Sequence, residues 1–179
     1  MLVSMVIVVF GPAGAGKSTV GRALAERLGW CFVEGDSFHS PESIARMRGG
    51  EPLTEAERRP WLEALAREVA IRIADGRSAV LACSALKRSH RRALIPKDAA
   101  VDDVQFVYLR AAPELLERRL RQRGGHFFPP ALLATQFAAL EEPGADERAP
   151  VLTVDASLPV ETLVDEIGDK LHLRSTART

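Results

Sequence analysis

The stretch Gly11-Pro12-Ala13-Gly14-Ala15-Gly16-Lys17-Ser18 meets every fixed position of the pattern G-x-x-x-x-G-K-[S/T]. It stands directly after an apolar run, Met5 to Phe10, and before a segment of helical spacing, Val20, Leu24 and Leu28, that stops at Gly29. Strand, glycine-rich loop and helix in that order make a cradle: backbone N–H groups turn inward around a phosphate, and the helix N-terminus adds its positive end. Lys17 then reaches the outer phosphates and the Ser18 hydroxyl can ligate Mg²⁺. The expected nucleotide loop is Gly11 through Thr19, with a nucleoside triphosphate and Mg²⁺ as its ligands. The alternative, a turn that merely joins strand to helix, is disfavoured by the full pattern in the right context.

Four further apolar runs follow, Trp30–Val33, Ala79–Cys83, Val104–Leu109 and Val151–Val154, each apolar almost throughout, as in strands covered on both faces. Between them lie helical spacings: Leu62, Leu65, Ala66, Val69 and Ile73 stop at Gly76, and Leu163, Val164, Ile167 and Leu171 come last. The alternation predicts an α/β fold, a five-stranded parallel sheet with helices on both faces. At 179 residues this is one domain, expected over 1–171, with a frayed tail at 172–179. Thr54-x-x-Glu57 has capping-box form and Pro60 is placed to start the long helix. Residues 36–60 therefore read as an insertion of short helices.

Charge excludes some partners. Lys+Arg and Asp+Glu balance at 24 each, so no overall field draws the chain to nucleic acid or to an anionic membrane. The first apolar run is too short for a membrane span or a signal peptide, which predicts a cytoplasmic protein. Cys31 and Cys83 both fall inside apolar runs and are expected as buried hydrophobes, not as a disulfide or metal pair.

A phosphate loop serves switches, motors and kinases alike. The guanine-selecting Asn-Lys-x-Asp is absent, and the third strand ends Cys83-Ser84-Ala85-Leu86-Lys87 with no carboxylate for Mg²⁺. The missing acid is expected at Asp36, at the end of the second strand and on the same sheet edge as the loop. There it can take a proton from an acceptor hydroxyl or position Mg²⁺ through water. His39, three residues on, can bind another hydroxyl; the plainer readings are a helix cap for Asp36 and a surface position for His39. Arg119 and Arg123 fall one turn apart on the helix from Pro113, placed to close over the triphosphate unless they are simply solvated. Lys87 can hold a phosphate or a carboxylate, or stand as an ordinary surface lysine.

Beyond these residues the chain resembles the gluconate kinases (gluconokinases), P-loop kinases related to shikimate kinase. The resemblance rests on Gly35-Asp36-x-x-His39, Ile44-x-x-Met47-x-x-Gly50-x-Pro52-Leu53, Arg59-Pro60-Trp61-Leu62, Cys83 to Lys87, Arg123-x-Gly125-His126-Phe127, Thr135-Gln136-Phe137 and Glu142 to Glu147. It implies a P-loop kinase fold with a substrate-binding insertion over about 36–60 and a lid over about 124–137. It implies ATP- and Mg²⁺-dependent phosphorylation of D-gluconate at its 6-hydroxyl, and a homodimer. Asp36, His39, Arg59, Lys87, His126 and Gln136 fall on the substrate side. Lys17, Asp36, Arg119 and Arg123 are the catalytic set. Met47 and Trp61 are expected as core. His90-Arg91-Arg92 departs from a Tyr-Arg-Asp stretch common in the family, which predicts a locally altered surface or partner contact; Ser43 departs from an Asn and Gly124 from a Lys, which bears on substrate affinity and lid stiffness.

Overall fold

The computed structural model describes residues 4–122 and 130–173. Five strands, β1 (Val6–Phe10), β2 (Cys31–Glu34), β3 (Ala79–Cys83), β4 (Val104–Arg110) and β5 (Val151–Asp155), form one sheet in the order β2-β3-β1-β4-β5, every pair parallel. Among the described residues seven α-helices connect and follow them: α1 (Lys17–Leu28), α2 (Pro41–Arg48), α3 (Glu55–Ala74), α4 (Arg88–Ala93), α5 (Pro113–Gln122), α6 (Pro130–Ala139) and α7 (Val160–Lys170). From β1 the chain moves outward to β2, returns through β3, then crosses to β4 and β5. The direction of winding therefore reverses at the carboxyl end of β1, where an open α/β sheet leaves its ligand crevice. The glycine-rich loop is there.

Alternation within β1 divides the core. Val6, Val8 and Phe10 pack with Trp61, Leu65 and Val69 of α3, while Ile7 and Val9 pack with Val20, Leu24 and Leu28 of α1 and Ile167 of α7. The interior strands β1 and β3 are buried throughout, as a parallel sheet sandwiched by helices requires. The two edge strands are not: β2 and β5 are each only partly covered. Cys31, expected inside, lies exposed on edge strand β2, whereas Cys83 on interior strand β3 is buried. Burial pushes the Cys83 thiol up to about 12.

The insertion contains a 3₁₀ turn (Gly35–Phe38), α2 and the first turns of α3. The capping box forms in both directions at Thr54 and Glu57. Helix α3 therefore starts at Glu55, and Pro60, expected to start it, sits inside it. Pro60 follows the reciprocal cap by six residues; the cap, not the proline, decides where the chain turns helical. Among the described residues no helix is long and apolar enough to cross a membrane.

Candidate active site

Gly16 takes φ +95°, a left-handed backbone that turns the loop into α1 and is costly for any residue with a Cβ. Lys17 opens α1, and its ammonium donates to the Pro12 carbonyl at 3.0 Å. The N–H of the same peptide unit, on Ala13, donates to Oε1 of Gln136 at 2.7 Å. Ser18 and Thr19 follow in the first turn of α1, where free N–H groups and the helix dipole favour an anion.

Across the crevice, Gly35 lets the end of β2 approach β3 closely. A Cβ on it would stand 2.5 Å from the Ala82 carbonyl oxygen and 2.8 Å from the Cys83 Cβ. That approach delivers Asp36 to the loop's edge of the sheet. Its carboxylate makes no hydrogen bond or ion pair among the described residues, and it caps nothing: Ser40 caps α2, accepting from the Ser43 N–H at 3.2 Å. Both Asp36 and Lys17 are near enough to Cys83 to act on its thiol, the acid raising and the base lowering it.

His39 is half-buried, not a surface residue. Its ring stacks on Trp61 at 4.6 Å and 7°, and the Trp61 indole donates to the Gly35 carbonyl at 2.8 Å. Trp61 is thus core, as expected, and also fixes the turn that carries Asp36 and His39. Burial lowers the His39 pKa, with Asp36 opposing and Arg58 adding to the effect, so the ring is neutral near pH 7. Its Nδ1 is buried without a hydrogen-bond partner.

These residues line one cavity of about 650 Å³ that takes in Lys17, Asp36, His39, Lys87 and Gln136. Arg59 is not among them. It is exposed on α3, and the neighbouring Arg58 lines the cavity instead. Arg58 donates to the Leu53 carbonyl at 3.3 Å, its Nε is buried without a partner, and no carboxylate pairs with it among the described residues. Burial lowers its pKa, opposed by Glu55. Met47, expected as core, also lines the cavity. Arg123 and His126 lie outside the described residues, as does the lid as far as residue 129; its remainder falls in α6.

Lys87 and His90 meet on Glu55, a residue with no signal in the sequence. Its Oε1 accepts from the Lys87 ammonium at 2.9 Å and its Oε2 contacts His90 Nε2 at 3.1 Å. The Lys87 bond first, then His90, hold this carboxyl down at about 2. His90 is 3% exposed, so it belongs to the cavity wall and not to the altered surface expected there. Arg91 beside it is fully buried, donating to the carbonyls of Ala85, Leu86 and Glu141 and to the Glu147 carboxylate. It ties the turn after β3, which carries Lys87, to the segment after α6. Only Arg92 of the three is exposed.

The Arg119 guanidinium donates to the Ala156 carbonyl at 2.8 Å, in the turn after β5. Among the described residues no cluster of three or more metal-ligating side chains occurs.

A parallel sheet with a phosphate loop at its winding reversal, facing a cavity into which a carboxylate without a partner among the described residues is set, defines a P-loop small-molecule kinase. The AAA domain family matches residues 6–143. The gluconokinase of Gluconobacter oxydans (strain 621H) is 42% identical over 161 residues, 90% of this chain and 88% of that protein. The thermoresistant gluconokinase of Escherichia coli (strain K12) is 38% identical over 159 residues, 89% of each. The crystal structure of a gluconokinase from Sinorhizobium meliloti 1021 superposes with a TM-score of 0.82 at 40% identity, covering 96% of this chain and 94% of that one. The chain belongs to the gluconokinase family.

Proposed function

We propose that the protein phosphorylates D-gluconate, transferring the γ-phosphoryl group of ATP to the 6-hydroxyl and releasing 6-phospho-D-gluconate and ADP. The observation that carries this reading is the pairing within one cavity of Asp36, a carboxylate beside the phosphate loop, with Arg58, a half-buried guanidinium, neither of them in an ion pair among the described residues. A linear acceptor with a hydroxyl at one end and a carboxylate at the other satisfies both. The family relatives support the same substrate.

In this reading Asp36 accepts the O6 proton as O6 bonds to the γ-phosphorus and the bond to the β–γ bridging oxygen breaks. Lys17 neutralises charge on the phosphates. Neutral His39 hydrogen-bonds a hydroxyl of the chain, and Lys87 with Glu55 offers donors and acceptors to others. Arg119 and Arg123 serve the triphosphate, and His126 the acceptor. Ser18, with Asp36 through water, would hold Mg²⁺, which screens the phosphate charge when bound. The turn from Asp155 to Pro159 contacts the adenine. A cytoplasmic homodimer completes the reading.

Product analysis tests it. Incubation with Mg-ATP and D-gluconate is expected to give a phosphate ester whose ³¹P signal couples to the C6 protons; an ester at another carbon, or none, overturns the assignment.

A further inference from the structure

The Pro12–Ala13 peptide unit is held from both sides. Its oxygen accepts from the Lys17 ammonium at 3.0 Å and its N–H donates to Gln136 Oε1 at 2.7 Å, across 123 residues of chain. Which end of the Gln136 amide faces the loop is settled by chemistry, because a backbone N–H can only donate and the amide oxygen is the only acceptor. The amide nitrogen is therefore turned away from Ala13. It has no partner among the described residues, and Gln136 lines the same cavity as Lys17 and Asp36.

One peptide unit thus places two sets of donors together, the ammonium that reaches the outer phosphates and a fixed –NH₂. Such a group suits an oxygen that gains negative charge during transfer, and being anchored already it costs little reorganisation. The acceptor side is served otherwise, by His39, Lys87 and Arg58. We propose that Gln136 is a catalytic residue of the phosphoryl-transfer step, donating from its amide nitrogen to the transferring phosphoryl group, while its oxygen couples α6 to the phosphate loop. This moves Gln136 from the acceptor side, where the family resemblance puts it, and rests on the kinase reading above.

Two variants separate the parts. Gln136→Glu keeps an acceptor for the Ala13 N–H and loses both donors; Gln136→Met keeps the length and loses both functions. At saturating Mg-ATP, so that weaker nucleotide binding from the added charge is not read as lost turnover, both are expected to lower kcat by about 10²-fold, the usual effect of deleting one such donor. The gluconate KM is expected to stay within about threefold, and the Glu variant to keep the wild-type thermal midpoint. Near-wild-type kcat in Gln136→Glu beside a loss in Gln136→Met overturns the proposal and leaves only the latch. A raised gluconate KM with kcat intact overturns it too, returning Gln136 to the acceptor. If Gln136→Met fails to fold, the Glu variant alone decides. If the wild type does not turn over gluconate, the substrate reading fails, and the same kcat ratio is read on ATP hydrolysis without acceptor; an unchanged ratio there sinks the role of Gln136.

Discussion

Replacing Arg58 with Met removes the cation assigned to the substrate carboxylate while keeping most of its apolar stem. Arg58 spends one N–H on the Leu53 carbonyl at 3.3 Å and has no carboxylate partner among the described residues. Its Nε is buried and unbonded. A substrate carboxylate arriving there meets a guanidinium already stripped of part of its water, so the bond is charge-assisted and is worth about 1.5–3 kcal/mol. At about 1.4 kcal/mol per tenfold, its loss raises the gluconate KM by roughly 10- to 150-fold. Because the group holds the end of the substrate remote from the reacting hydroxyl, kcat falls less. Arg59→Met is the control: the side chain is exposed, and exposed substitutions stay within about 0.5 kcal/mol, so KM moves by about twofold or less. Both are measured by coupled ADP release against gluconate concentration, with thermal midpoints to exclude misfolding. An unchanged KM in Arg58→Met, or a larger loss in Arg59→Met, refutes the assignment.

Asp36→Asn is expected to lower kcat by about 10²–10⁴-fold with nucleotide affinity retained, since the amide cannot take a proton; wild-type turnover would remove Asp36 from the chemistry. Lys17→Ala should cost at least about 10²-fold in kcat, and a near-normal rate would defeat the phosphate-loop reading. Changing Arg119 and Arg123 together to Ala should damage turnover rather than gluconate KM; the reverse pattern moves them to the acceptor. Stability should fall with acid in two windows. Burial puts the folded pKa of His39 and of His90 below the ordinary 6.5, so the unfolded chain binds more protons and stability drops as pH falls from 6.5 towards those lowered values. The Glu55 carboxyl, held at about 2 against an ordinary 4.5, gives stability that is present above 4.5 and lost below it. Thermal midpoints between about pH 7 and about pH 5 should decline, and less steeply in His90→Asn; a flat wild-type profile contradicts the burial argument.

The phosphate loop was legible because phosphate geometry dictates its spacing, and Asp36 because an acid at a strand end falls on the loop's edge of the sheet. Arg59, expected on the substrate side, is exposed on α3, and its neighbour Arg58 lines the cavity. Two adjacent arginines differ by about 100° around a helix, and the register follows from the cap at Thr54. The buried face of α3, Trp61, Leu65 and Val69, carried the signal that was missed: Arg58 lies three residues before Trp61 and shares its face, and Arg59 does not. Glu55 was not legible at all. It matters only because the turn after β3 brings Lys87 and His90 to the start of α3, a contact spanning 32 and 35 residues. Cys31 was misread because an apolar run does not say whether its strand lies at a sheet's edge or in its middle.

The most direct test of the account is ADP release by the purified protein with Mg-ATP and, in parallel, D-gluconate, its epimers, shikimate, glucose and no acceptor. Strong turnover with gluconate over every other acceptor is expected, lowered at least about 10²-fold by Asp36→Asn. Turnover that prefers another acceptor, or that is undiminished in Asp36→Asn, contradicts this reading.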